Sequence, residues 1–268
     1  MTDRGVSEVL GFVLIFSLVT ASVGAVYVVG FGGLEDARDA ERINNAERAM
    51  DVLADNVEDI HRDDAPNRAT EIKLYDATLS VGESTKVAVN VTNNATGVSA
   101  DWNNASVYPV DYAPQSSPTR LRYVNGGVFR EDRNGGRLLN RPPLTLRTNS
   151  SGDRIVVIPI LQTRPGSSSD PISGRTSVLV RTERISSRVL SARTDPGPET
   201  PDPHYDVTYR IETTEARAPL WEEYLNTRFD EAFGTTPCST PSPDTVECQF
   251  ETQQLFVTVT RINVNVES

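Results

Sequence analysis

Few residues in this chain have the type and spacing to carry chemistry. The histidines are His61 and His204, and the cysteines are Cys238 and Cys248. His61 falls in the tail of a helical pattern and His204 in a Pro-rich stretch, with no spacing between them that gathers metal ligands. No Gly-x-Ser-x-Gly elbow, phosphate loop, dinucleotide fingerprint or zinc motif occurs. Carboxylates are plentiful, 37 Asp and Glu against 26 Lys and Arg, but in so acidic a chain an Asp/Glu pair is ordinarily solvated surface. Asp63-Asp64 offers at most a weak cation site and is read as a solvated helix end. No catalytic residue, metal ligand or cofactor is therefore assigned, and the chain is expected not to be an enzyme.

Covalent chemistry of another kind is better marked. Cys238 and Cys248 bracket Ser-Thr-Pro-Ser-Pro-Asp-Thr-Val-Glu, and in an exported chain they are expected to form a disulfide. A zinc site is excluded there, because two thiolates cannot complete the metal's shell. Four glycosylation sequons begin at Asn90, Asn94, Asn104 and Asn149, three of them crowded between Asn90 and Ser106. Both features point to the outside of a cell.

The element that would place them there is the N-terminus. From Val9 to Leu34 no residue carries a charge. A helix of that length reaches ~39 Å, against ~30 Å of bilayer hydrocarbon. Arg4 flanks the near end and Glu35, Asp36 and Asp39 the far end, which predicts a cytoplasmic N-terminus and an extracellular bulk. Three processing routes are open to such a segment. A secretory signal cut after Ala25 has Val23 and Ala25 at the small-residue sites, yet the apolar run continues through Val29. A lipoprotein anchor is excluded, since no cysteine precedes Cys238. The third route is a prepilin-type cut between Gly5 and Val6, which keeps the whole apolar helix attached.

Arg4-Gly5-Val6-Ser7-Glu8-Val9-Leu10-Gly11, followed at once by the apolar run, resembles the start of haloarchaeal type IV pilins. The resemblance covers about 30 residues, and beyond them the chain is similar to a haloarchaeal pilin-like group whose function is unassigned. It implies a leader ending at Gly5 and processing governed by Arg4, Gly5 and Val6. It also implies a role for Glu8 in assembly, by pairing with a neighbouring subunit's amine. Glu8 stands where many of those pilins have proline, and it would be the third mature residue rather than the fifth. The partners implied are membrane lipid, a prepilin peptidase, other pilin-like subunits and their assembly platform. A minor pilin or pseudopilin-like subunit is the role expected, and a permanently anchored binding domain is the alternative.

Composition agrees with that source. Of the 26 basic residues only Lys73 and Lys86 are lysine, the net charge is -11 and the pI about 4.8. This balance resembles halophilic archaeal proteins; an acidic protein from a GC-rich genome is the plain alternative. Such a surface repels polyanions, so nucleic acid is excluded as a partner.

Past the apolar run, Ile43, Ala46, Met50, Leu53, Val57 and Ile60 recur at spacings of three and four. They predict an amphipathic helix over residues 35–66, ended by Pro66 and lying on the chain's own head or forming a short coiled-coil stalk. From Asn67 the period becomes two. Strands are expected around Glu71–Tyr75, Lys86–Val91, Arg154–Leu161 with Pro159 near its end, Ser177–Thr182, Arg184–Leu190, Val207–Ile211 and Leu255–Val266. Asn125-Gly126 predicts a hairpin turn. Trp221, Leu225, Phe229 and Phe233 mark one helix, with Pro219 at its start and Gly234 at its stop. Asp195–Pro203 and Thr235–Asp244 read as exposed loops. The expected organisation is a leader at 1–5, a transmembrane helix at 6–34, an amphipathic helix at 35–66 and a β-rich head at 67–268. The class is α+β, with the long helix packed on an antiparallel sandwich-like head.

Overall fold

The computed structural model describes residues 3–133, 135–197 and 202–268, with the side chains of all of these except 3–8, 28–32, 35, 36, 103 and 104. Helix α1 runs Asp3–Arg62. The chain forms two compact units, Met1–Asn45 and Ala46–Ser268.

The first unit is the helical segment alone. Its stretch Val9–Tyr27 is long and apolar enough to cross a membrane, and none of it is buried. Thr20 and Ser22 donate their hydroxyls to the carbonyls of Phe16 and Leu18, one turn back. Their polarity is thereby satisfied within the helix itself, as an apolar surrounding demands.

The second unit is α+β, as the two sequence periods require. Its strands are β1 Asn67–Lys73, β2 Ala77–Val81, β3 Thr85–Asn93, β4 Ser99–Val107, β5 Val110–Pro114, β6 Arg120–Val124, β7 Gly127–Asp132, β8 Gly135–Asn140 and β9 Thr145–Thr148. They continue as β10 Arg154–Pro165, β11 Ile172–Gly174, β12 Ser177–Arg193, β13 Tyr205–Glu212, β14 Cys238–Ser242, β15 Thr245–Thr252 and β16 Gln254–Glu267, with α2 at Ala218–Phe233. Three sheets result, in the orders β1-β12-β16-β10-β9, β11-β2-β5-β6-β7-β8 and β14-β15-β13-β3-β4. We call them the first, second and third sheets.

Residues Ala46, Met50, Leu53, Val57 and Ile60 turn the seam of α1 into the centre of one core. Around them lie Ile72, Val178, Val180, Ile262 and Val264 from the first sheet and Leu79, Tyr112, Leu121 and Tyr123 from the second. Each fully buried side chain of this size stabilises the fold by ~1.5–3 kcal/mol. The seam is thus consumed inside its own unit, which rules out the coiled-coil stalk for this segment. Glu47 sits beside the seam and accepts from Arg130 Nη1 at 2.8 Å and Arg137 Nη2 at 3.1 Å, fastening the helix to β7 and β8. The helix ends at Arg62, four residues before Pro66. Asp64 at φ 60° breaks it, and the residue before Pro66 is biased away from helix in any case.

A second core joins the third sheet to α2 and to the first halves of β10 and β16. Trp221, Leu225 and Phe229 face it, and the Phe129 ring lies tilted against Trp221 with centroids 5.1 Å apart. Helix α2 has Pro219 in its first turn and stops at Gly234, whose φ of 66° suits a residue without Cβ. The Asn125-Gly126 turn takes positive φ at both positions, and Asn125 Oδ1 accepts from the Leu161 backbone N–H at 2.9 Å.

Several expectations need correcting. Ser177–Thr182 and Arg184–Leu190 are one strand, β12, whose register against β16 slips at Arg184/Ser186 and again at Val189/Ser191. The Thr182-Glu183-Arg184 segment has no turn-forming residue, so the chain bulges instead of reversing. Pro159 lies in the middle of β10. It is tolerated because β9 pairs only as far as Val157, leaving that flank without a ladder bond to lose. Thr235–Asp244 is not all loop, since Cys238–Ser242 pairs with β15. The sheets are antiparallel except for β10 and β16, which run parallel from Ile155/Gln254 to Pro165/Val264.

Candidate functional site

The residues that the sequence marks for processing and assembly give little geometry. Arg4, Gly5, Val6 and Glu8 are helical in backbone, and their side chains lie outside the described residues. The cysteines are better placed. Cys238 and Cys248 are cross-strand partners, 3.9 Å apart at Cα, and are disulfide-bonded. The bond fastens β14, a strand at the sheet edge, to β15.

Three of the four sequon asparagines have described side chains. Asn90 is exposed on the outer face of the third sheet, between register partners Asp101 and Thr208. Asn149 spends its amide in a turn, donating Nδ2 to Asp153 at 2.9 Å while Oδ1 accepts from the Ser151 and Asp153 backbone. Asn94 is likewise engaged: Nδ2 donates to the Asp202 carbonyl at 3.0 Å and Oδ1 accepts from the His204 backbone N–H at 3.0 Å. The side chain of Asn104 is outside the described residues.

His61 and His204 do different work. His61 Nδ1 lies 2.9 Å from the Thr260 hydroxyl, and burial pushes the ring below the usual histidine range, with the Arg62 charge adding to the effect. Asp64, read from the sequence as part of a solvated helix end, is exposed and pairs with Arg184.

His204 instead gathers groups that the sequence keeps apart. It immediately precedes β13, so Asp206, two residues on, points to the same outer face. The register of β13 and β15 then places Glu251 directly opposite Asp206. His204 Nε2 lies 3.5 Å from Asp206 Oδ1 and 3.8 Å from Glu251 Oε1, and the three ligating atoms fall within 4.8 Å of one another. Nδ1 faces the Asp202 carbonyl at 2.8 Å. An open hollow of about 530 Å³ adjoins the cluster, lined by Arg154, Asp206, Thr208, Gln249 and Glu251 among others. The Pro-rich run before His204 is tied at its near end as well. Tyr205 donates its hydroxyl to the Asp195 carbonyl at 2.6 Å, and Asn93 Nδ2 donates to Pro196 at 3.0 Å. Reading by motif missed this cluster because Glu251 enters through strand register. The one local signal was His204-x-Asp206 at the two-residue period of a strand.

A second ionic group is interior. Asp111, Arg122, Glu131 and Arg217 connect β5, β6, β7 and the entry to α2, with Arg122 3.2 Å from Asp111 and Arg217 3.3 Å from Glu131. Burial pushes the Asp111 carboxyl up and the Arg217 guanidinium down. Two acids balance two bases, so the group is neutral overall and tightly enclosed. It joins layers of the fold.

Comparison with known proteins supplies a family. The model of a family of unknown function, DUF7289, matches residues 4–265, and the chain belongs to that family. No curated protein matches the chain, and no solved structure does.

Proposed function

We propose that this DUF7289 member is a non-enzymatic, pilin-like surface protein. Its N-terminal helix holds it in the membrane, its head lies outside the cell, and it serves as a minor subunit of a type IV pilus-type machine. The observation that carries this reading is the stretch Val9–Tyr27, apolar on every side and covered by nothing in its own fold. A segment of that kind is stable only in lipid or among other apolar helices, and a pilin uses both in turn. Support comes from Arg4-Gly5-Val6 at its start and from the disulfide, which belongs to an oxidising compartment. Asn90, exposed on a polar sheet face, is the sequon best placed for a glycan.

Under this reading Gly5 is the last residue removed. Mass spectrometry of the native N-terminus tests it: a peptide beginning at Val6 is expected, whereas one beginning at Val26 ends the pilin reading. Sheared and purified filaments should contain the protein. A protein that keeps Met1 or Thr2 and remains wholly in washed membranes is instead a permanently anchored binding domain. That second reading is favoured by the open hollow beside Asp206 and Glu251.

A further inference from the structure

We propose that His204, Asp206 and Glu251 bind one divalent transition-metal ion of the zinc type on the outer face of the third sheet. The argument begins with distance. Zinc bonds of ~2.0–2.2 Å to nitrogen and oxygen place neighbouring ligand atoms about 3.3–3.5 Å apart around a tetrahedron. His204 Nε2 stands 3.5 Å from Asp206 Oδ1 and 3.8 Å from Glu251 Oε1, so small rotations of two exposed carboxylates complete three corners.

Orientation adds to this. His204 Nδ1 faces the Asp202 carbonyl at 2.8 Å, and the tautomer with its hydrogen on Nδ1 donates there and leaves the Nε2 lone pair for a metal; the Asn94 amide nitrogen stands beside the ring, 3.0 Å from Nδ1 and 3.3 Å from Nε2. Metal-bound histidines are ordinarily held in this way, with the remote nitrogen on a carbonyl. The main chain that carries the ring is held to Asn94 in both directions, His204 N–H to Asn94 Oδ1 at 3.0 Å and Asn94 N–H to the His204 carbonyl at 3.1 Å.

Charge gives the third step. Asp206 and Glu251 are direct cross-strand partners of like sign, an arrangement that costs stability unless a cation joins it. An imidazole among the ligands favours zinc and its neighbours over calcium and magnesium, which want shells of oxygen. The adjoining hollow leaves space for water at the fourth corner.

The test uses the tag-free full chain in detergent, stripped with chelator and titrated with cobalt(II). One equivalent should produce the intense visible absorption of tetrahedral cobalt, and zinc should abolish it. Asp206→Asn and Glu251→Gln, both at exposed positions, should each weaken binding by roughly 10–100-fold or more, while Glu212→Gln on the same face leaves it unchanged. Weak octahedral spectra alone, or equal affinity in Glu251→Gln and the unaltered chain, overturn the proposal. A cluster completed merely by a proton on His204 gives the same negative result. Filament and N-terminal assays are untouched by either outcome.

Discussion

Two stretches of α1 carry apolar surface that must be covered, and they have opposite fates. Between Val9 and Tyr27 nothing is buried, whereas Met50, Leu53, Val57 and Ile60 are each sealed from solvent. Helix propensity does not distinguish them. What does is the arrangement of polar residues: the first stretch has none that is charged, and the second alternates its seam with Asp51, Asp55, Glu58 and Asp59. A charged back face tells a helix which side to bury, so the second stretch finds its partners in the same unit. An apolar surface with no back face has to be covered from outside the fold.

The comparison is broken most directly by truncating one leucine in each stretch. Leu53→Ala should cost the head ~2–5 kcal/mol, because it opens a cavity among side chains that cannot collapse. Leu14→Ala should change the head by less than ~0.5 kcal/mol. Denaturant unfolding followed by the fluorescence of buried Trp221 measures both, and equal losses would show that the two stretches share one core after all. Reducing the Cys238–Cys248 disulfide comes next. Closing a loop of this size contributes about 2–3 kcal/mol in the chain-entropy view, so the reduced head should unfold at lower denaturant while its retention in membranes is unchanged.

A smaller effect sharpens the seam's side of the contrast. Glu47→Gln removes the charge that Arg130 and Arg137 share and should cost roughly 1–2 kcal/mol, read from the same unfolding curves. Arg130 keeps Asp132 at 2.8 Å, which limits the loss. The smallest effect is one of pH. His61 titrates lower in the folded head than in the unfolded chain, so its neutral ring is favoured by folding. That contribution is complete above the ordinary histidine value of about 6.5 and fades as pH falls below it. Midpoints measured from pH 8 down to pH 5 should drift downward in the native chain and drift less in His61→Gln.

What the sequence made legible was local. The seam's spacing, the Asn125-Gly126 turn and the Trp221–Phe233 stripe each declare themselves within one or two turns of chain, and each took its expected form. Register was not legible. Nothing in Arg154–Leu161 announces a parallel neighbour about a hundred residues away, and nothing near Arg184 or Val189 shows that β12 absorbs its irregularities as bulges. The His204 cluster was hidden for the same reason, since Asp206 and Glu251 meet only after β13 and β15 have aligned. For the processing motif the relation is reversed: sequence alone speaks for Arg4, Gly5 and Val6.

Strand β16 belongs to both cores. Leu255, Val257 and Val259 face one, and after the paired burial of Val259 and Thr260 the strand presents Ile262, Val264 and Val266 to the other. It also lies between β12 and β10, holding the first sheet together from within. Synthesis runs in chain order, so until residues 254–267 have left the ribosome neither core can close and β10 waits without its parallel mate. A premature stop within these residues strips both cores at once, and quality-control proteases, rather than a weakened version of the protein, will receive the product.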